Sequence, residues 1–427
     1  MKNEKKIKQN YNLEDILVIL SILTIGFGNL NGLLIINLSQ IIVVALLFLQ
    51  LFLRRKRFNL CIPKFILLLV FYIVFVTFIL NYSINSRDVE SIKNLVMLLI
   101  YFLAFYNYIY NKKDINILMR LLYTVAFILS IIGIIQEIGY LLNIEFLYNY
   151  SYIGLNNSIT QTGIFMRVTS LYSEPAHLAI GLMGGISVIF SKKLINFKVG
   201  NLISDLVIFI CMLFTFSMVV YLTIAIIASY FLFFIFKGFK NKSKIIFIGL
   251  IVLFAFIYVS NDALIIIKYK IDSLFTLNQN LDTNNLSSFA VFSNYKIALE
   301  KLKDGYLLGT GLDSHYKTYF TYINNIYQGN SIVMYLNYND AASLYIRIFS
   351  EFGLIGIAIY LYYLIKNLFF YNKKYKYYYN LYVISRISLI CLICYGVRMG
   401  NYSNPILFLF WCILIICNKR IKSLEKL

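Results

Sequence analysis

Apolar residues gather along this chain in twelve stretches, at about 14–30, 33–53, 64–81, 94–110, 117–140, 175–191, 202–217, 219–236, 245–260, 342–365, 382–396 and 404–418. Crossing about 30 Å of hydrocarbon takes roughly 20 residues of helix, and in that medium each segment must pair its own backbone N–H and C=O groups. The pattern therefore predicts an all-α polytopic membrane protein of about 12 transmembrane helices forming a single integral membrane domain over residues 1–427. One break rests on a single polar residue, Ser217 in "FTFSMVVY".

Composition agrees with that reading. The chain is 60% hydrophobic and 14% charged, with a mean hydropathy of +0.75, more apolar side chain than a water-soluble core can hide. No small-residue cleavage site follows the first apolar run, which is expected to be kept as the first span. Three Pro, 37 Tyr and 36 Phe beside abundant Ile, Asn and Lys resemble the residue bias of an AT-rich bacterial genome. The six cysteines, at 61, 211, 391, 394, 412 and 417, lie in or beside apolar runs and read as small buried hydrophobes, the Cys391/Cys394 pair included.

A net charge of +20 would suggest nucleic acid in a soluble protein, but its distribution gives it another meaning. With the N-terminus in the cytoplasm, the cytoplasmic segments hold 26 of the 39 Lys and Arg residues, while the short loops on the other side hold four. The positive-inside rule puts both termini in the cytoplasm and accounts for the charge without a nucleic-acid partner. Two large loops, 141–174 and 261–341, then face outward. Of the arginines inside predicted spans, Arg120 and Arg386 lie near cytoplasmic ends and are expected to snorkel to the interface, while Arg347 lies near an outward end.

The outward segments carry the chemistry. Residues 288–303 set Phe289, Phe292, Ala298 and Leu299 against Lys296, Glu300, Lys301 and Lys303, as in a short interfacial helix. In the "GYLLGTGLDSHY" that follows, Gly305, Gly309 and Gly311 permit positive φ, which suggests either an ordinary turn or a nest of N–H groups for an anion. His315, in a polar loop, is expected at the surface. In "RVTSLYSEPAH", Pro175 opens the sixth span, so Ser173 or Glu174 caps an outward helix N-terminus and His177 shares a face with Glu174. An arginine, a carboxylate and an imidazole then meet at a positive helix end, a ready anion site. The plainer reading has Glu174 as a cap, Arg167 on lipid headgroups and His177 bonded to a neighbouring span.

Together, "RVTSLYSEPAHLA" before a span, "LLGTGL" in the last long loop and "SLYIRIFSEFGLIG" opening the next span resemble the bacterial O-antigen polymerases (Wzy-type), within the O-antigen polymerase and ligase superfamily. The resemblance covers about 165–180 and 290–360. Ligases of that superfamily carry a His-Asn pair nine residues before the glutamate of the Glu-x-Gly element; here those positions hold Ala342 and Ser343, which favours a polymerase. An arginine often found in the helix before the Gly-rich turn is also missing, with Lys296 taken as the nearest basic residue.

The resemblance implies transfer of a growing glycan from undecaprenyl diphosphate to another lipid-linked repeat unit on the outer face of the bacterial cytoplasmic (inner) membrane. It implies membrane lipid around the enzyme, with a flippase and a chain-length regulator as partners. A sugar hydroxyl attacks the anomeric carbon while a diphosphate leaves, so the site needs cations or N–H donors for the leaving anion and can use a base for the hydroxyl. Arg167, Glu174 and His177 are the catalytic candidates. Arg398, Arg347, Gly309, Gly311, Asp313, His315 and Asp340 are the substrate-binding candidates. Neither a cofactor nor a metal is expected, since the two histidines are far apart and no carboxylates cluster at ligand spacing. The alternatives are an O-antigen ligase, a polymerase for capsule or exopolysaccharide, and a flippase or other transporter of lipid-linked oligosaccharide. Against a transporter, the chain has no clear internal repeat, and its ionisable residues gather on one face.

Overall fold

The computed structural model describes residues 11–27, 37–53, 58, 63–80, 88–112, 114–155, 157–162, 164–192, 197–217, 223–227, 286–326, 335–368 and 379–425. The expected spans at 219–236 and 245–260 lie outside the described residues except for a helical stretch at 223–227. Helices dominate: α1 (Leu13–Leu23), α2 (Leu38–Leu53), α3 (Lys64–Val74) continued by a π-turn (Phe75–Leu80), α4 (Asp88–Asn111), α5 (Asn116–Leu141), the short α6 (Glu145–Tyr148), α7 (Pro175–Lys192), α8 (Leu202–Phe214), α9 (Leu286–Lys303), α10 (His315–Ile326), α11 (Leu344–Leu368), α12 (Tyr379–Arg398) and α13 (Pro405–Glu425). A two-residue antiparallel pair, β1 (Gln161–Thr162) with β2 (Phe165–Met166), is the sheet found among the described residues. Helices α4, α5, α7, α11 and α12 contain stretches long and apolar enough to cross a membrane.

Small residues set the packing of the central helices. A Cβ on Gly185 of α7 would stand 2.2 Å from the Ala126 Cβ of α5, and one on Gly133 of α5 would stand 2.7 Å from the Cys211 Sγ of α8. Such contacts let backbones approach where no hydrophobic effect drives helices together. The five described cysteines are buried and free of disulfides.

Helix ends of alternating direction meet on two faces. On the basic face, Asp15 of α1 pairs with Lys112 just beyond α4 and accepts the Tyr108 hydroxyl at 2.6 Å. Lys192 at the end of α7 pairs with Asp205 at the start of α8, and Arg420 of α13 donates to the carbonyls of Ile109, Tyr110 and Lys112. Arg120 is half-buried, its guanidinium 5.9 Å from the Phe197 ring. Arg386 departs from expectation: it is 1% exposed and donates to the carbonyls of Asn367 and Leu368 at the end of α11. It caps a neighbour's C-terminus instead of snorkelling, because the last carbonyls of a helix lack intrahelical donors and carry partial negative charge.

On the opposite, loop face, α9 and α10 form a small unit with its own core of Ile297, Tyr319, Tyr322 and Ile323. Ala298, Ala341 and Ile346 join that unit to α11. The α9 stripe is not the expected one. Ala290, Asn294, Ile297, Ala298 and Lys301 face inward, so Lys301 belongs to the buried side.

Candidate functional site

The segment "RVTSLYSEPAH" crosses the loop face, held chiefly by two residues at the end of α5. Gln136 Oε1 accepts the N–H groups of Thr169 at 3.0 Å and Ser170 at 2.8 Å, while its Nε2 donates to the Tyr148 carbonyl and to Thr169 Oγ1. Glu137 Oε1 accepts the Met166 N–H at 3.2 Å. Further along, the Ser170 hydroxyl donates to the Leu129 carbonyl and that of Tyr172 to the Ile22 carbonyl. These bonds fix a turn in which Ser170 has φ 51°. Pro175 then opens α7, its missing N–H lost where a helix has no acceptor to offer. The Glu174 carbonyl accepts from His177 and Leu178, which makes Glu174 the capping residue and leaves its side chain exposed. Ser173 Oγ lies 3.2 Å from His177 Nδ1.

Opposite stands a strained turn. Asn337, Ala341 and Ala342 have φ of 55°, 58° and 57°, and for alanine such a conformation costs about 1–2 kcal/mol each. Hydrogen bonds hold the turn: Ala341 N–H donates to the Asn337 carbonyl at 2.8 Å, and Asp340 Oδ1 accepts from Asn337 Nδ2 and Ala342 N–H. The Ala342 carbonyl accepts Arg398 Nη1 at 3.2 Å from the end of α12. Only a glycine fits beyond it, since a Cβ on Gly400 would overlap the Asp340 carbonyl. In this arrangement the charges of Glu174, Asp340 and Arg398 all act on the His177 imidazole. Four of the residues singled out from the sequence, drawn from three separate segments, thus come together at the start of α7. Arg167 is half-buried, its Nε 3.5 Å from the Thr215 carbonyl.

The other candidates are consumed by the protein itself. Arg347 donates from Nε to Glu351 Oε1 at 2.9 Å, from Nη1 to the Gly400 carbonyl at 3.1 Å, and from Nη2 to Asp313 Oδ1 at 2.8 Å and the Tyr402 hydroxyl at 2.9 Å. Tyr402 in turn donates to Asp313 Oδ1 at 2.6 Å, and Asn94 of α4 donates to Asp313 Oδ2 at 2.7 Å. Burial holds the Tyr402 hydroxyl well above the usual phenol range, so it stays protonated for this bond. This buried network carries the loop 398–402 on which Arg398 sits.

The Gly-rich turn is likewise docked instead of open. Thr310 and Gly311 N–H groups both donate to the Glu351 carbonyl, at 2.9 and 2.8 Å, and Leu312 N–H donates to Thr77 Oγ1 in the π-turn. Gly309 and Gly353 face each other with φ of 77° and 62°; a Cβ on Gly309 would lie 2.2 Å from the Glu351 carbonyl oxygen, and one on Gly353 would lie 2.0 Å from that of Leu307. The "LLGTGL" and "SEFG" elements are therefore two halves of one contact. Of the two readings, these contacts fit the ordinary turn, since the Thr310 and Gly311 N–H groups are spent on the Glu351 carbonyl.

His315 is buried, against the surface position expected. Asn294 Nδ2 donates to the carbonyls of Ala290 and Leu336, which leaves Asn294 Oδ1 to accept from His315 Nε2 at 2.8 Å. His315 Nδ1 then accepts from Ser350 Oγ at 2.9 Å. Burial, joined by the charges of Arg347 and Lys301, holds its pKa well below the usual imidazole range, so the ring is neutral. Lys301, not Lys296, supplies the cation behind the Gly-rich turn, donating to Thr310, to Thr318 and to the Ser350 carbonyl. Burial pulls its ammonium down to about 7, with the Glu351 charge opposing. Lys301, read from the sequence only as part of the polar side of an interfacial helix, and Gln136, Asn94 and Tyr402 were not among the site candidates. For Lys301 the signal was its place three and four residues from the apolar Ala298 and Ile297; the others carried none. Among the described residues, no group of three or more His, Cys, Asp and Glu side chains is placed to hold a metal ion.

A family model described as O-antigen ligase matches residues 203–361, which include the Gly-rich turn, Lys301, Asp313, His315, Arg347 and Glu351. The match supports membership of the O-antigen polymerase and ligase superfamily. Among the described residues, five helices are apolar and long enough to cross a membrane, which together with the family match indicates a membrane protein. The superfamily is a class of membrane enzymes that transfer glycosyl groups and act on lipid-linked oligosaccharides. No curated protein and no solved structure matches the chain.

Proposed function

We propose that this protein polymerises undecaprenyl-diphosphate-linked repeat units of a surface polysaccharide on the outer face of the bacterial cytoplasmic membrane. What supports the reading is Arg398, held on the Ala342 carbonyl beside Asp340, together with Glu174 and His177 at the start of α7, near enough for these charges to act on the imidazole. This arrangement unites a cation for a leaving diphosphate with bases for a sugar hydroxyl. The lysine and arginine distribution supports twelve spans, cytoplasmic termini and an outward loop face.

In the reaction, the acceptor hydroxyl oxygen bonds to the anomeric carbon as the bond from that carbon to the diphosphate oxygen breaks. The electron pair leaves on the lipid diphosphate, and the hydroxyl proton passes to His177 or Glu174. Arg398 faces the departing anion, with Arg167 as the second cation; guanidinium suits this role because its planar fork binds two oxygens at once and keeps its charge. Aligned donors at the start of α7 add to the stabilisation.

Ligation is the second reading, favoured by the description of the matching family. Against it, the ligase histidine position is Ala342, whose carbonyl holds Arg398 and whose side chain offers no imidazole. Gene deletion separates the readings. Loss of a polymerase leaves single repeat units on the surface lipid, loss of a ligase leaves none, and loss of a flippase traps the carrier inside. Long-chain polymer persisting after deletion would sink the proposal.

A further inference from the structure

A cluster of aromatic rings lies beside the charged site with no assigned role. Tyr316, Tyr319 and Phe320 of α10 meet Tyr335 and Tyr338 of the strained turn at centroid distances of 5.5 to 6.4 Å. Tyr319 is buried and forms the floor, whereas Phe320 is 36% and Tyr335 62% exposed. The seven contacts among these rings are tilted or edge-on, with interplanar angles of 58° to 80°, and none is stacked face to face.

Two features indicate the occupant. First, the surround is polar: on α10 the rings alternate with exposed Lys317, Thr321 and Asn324, whereas the exposed face of α3 shows Leu67, Leu68 and Phe71, as suits lipid. Second, the rings are continuous with the charged cluster. Tyr338 lies two residues before Asp340 in a turn locked by the bonds from Ala341 to the Asn337 carbonyl and from Asn337 to Asp340. A pyranose ring has an apolar C–H face bordered by hydroxyls, which matches an aromatic face with a polar border.

We propose that Phe320 and Tyr335 form a glycan subsite that stacks sugar rings of the chain beyond the reacting sugar. The proposal rests on the polymerase reading, and it makes the protein grip a chain of several repeats more tightly than a single repeat.

The test uses full-length protein in lipid nanodiscs. Oligosaccharides released from the host's own lipid-linked intermediates serve as probes, in fractions of one repeat and of several repeats. Binding is read by saturation-transfer NMR, and polymerisation by gel from lipid-linked repeats. In Phe320→Ala/Tyr335→Ala, affinity for the several-repeat fraction is expected to fall about tenfold, with thermal stability unchanged and the single-repeat fraction little affected. Phe320→Tyr/Tyr335→Phe is expected to bind like wild type. Unchanged binding in the double alanine variant would overturn the subsite. So would a loss that follows reduced thermal stability or release from the bilayer, which would mark the rings as a membrane anchor. If wild type binds the several-repeat fraction through these rings yet makes no polymer, the polymerase reading fails and the subsite stands. If wild type polymerises and the double alanine variant matches it in binding and chain length, the reading stands and the subsite fails.

Discussion

Arg347 distinguishes a group that holds the fold from one that holds the substrate. Replacing it with methionine keeps most of its length and removes four donated bonds, two of them to carboxylates, in a place where Arg347 is 6% and Glu351 0% exposed. Glu351 would lose the cation bonded to it and the Gly400 carbonyl a donor, while Asp313 would keep its bonds from Asn94 and Tyr402. Removing one partner from a buried ion pair costs about 3–5 kcal/mol, because the remaining charge stays desolvated. Adding Glu351→Gln removes one stranded charge and should recover about 1–2 kcal/mol. The assay is equilibrium unfolding in mixed micelles, run on wild type, R347M and R347M/E351Q beside a polymerisation assay at a temperature where all are folded. The expected order of stability is wild type, then the double variant, then the single variant. If R347M unfolds like wild type yet makes no polymer, Arg347 is a substrate-binding group and this reasoning is refuted.

Other outcomes follow from the same contacts. Gly353→Ala would place a Cβ 2.0 Å from the Leu307 carbonyl oxygen at φ 62°, so it should cost about 1–3 kcal/mol in strain and lower the unfolding midpoint, whereas Gly305→Ala, with nothing within 4 Å of its Cβ, should cost less. Lys301, lowered from 10.5 to about 7 in the folded protein, binds fewer protons there than in the unfolded chain between those values, so its contribution makes stability rise with pH across that window; Lys301→Met should flatten that part of the wild-type profile. Glu174→Gln and His177→Ala remove groups with few structural ties, so unfolding should be nearly unchanged while the rate falls about 10²–10⁴-fold for whichever residue takes the proton; near-normal chain length would remove that residue from the mechanism. Gln136→Ala leaves the Thr169 and Ser170 N–H groups buried without their acceptor, so it should reduce stability by about 1–3 kcal/mol and activity along with it.

The sequence by itself determined the membrane class, because the length of an apolar run and the cost of unpaired backbone in hydrocarbon need no partner to be read. It also marked the start of α7, where Pro175, Glu174 and His177 follow local rules of helix initiation. Charge alone was a poor guide to position. Lys301, Arg347, His315 and Arg386 look like loop or interfacial residues in one dimension, and all four are buried because distant segments supply their partners: Ser350 for Lys301 and His315, Gly400 and Tyr402 for Arg347, Asn367 for Arg386. The glycines carry the same lesson. Their positive φ was legible locally, but whether their N–H groups faced a ligand or the Glu351 carbonyl was decided by how α11 packs against the turn. Tertiary packing alone brought Asp340 and Arg398 to His177 and gathered the tyrosines of α10 and the 335–342 turn. Such contacts join residues far apart in sequence, and no local pattern encodes which of many equivalent side chains will meet.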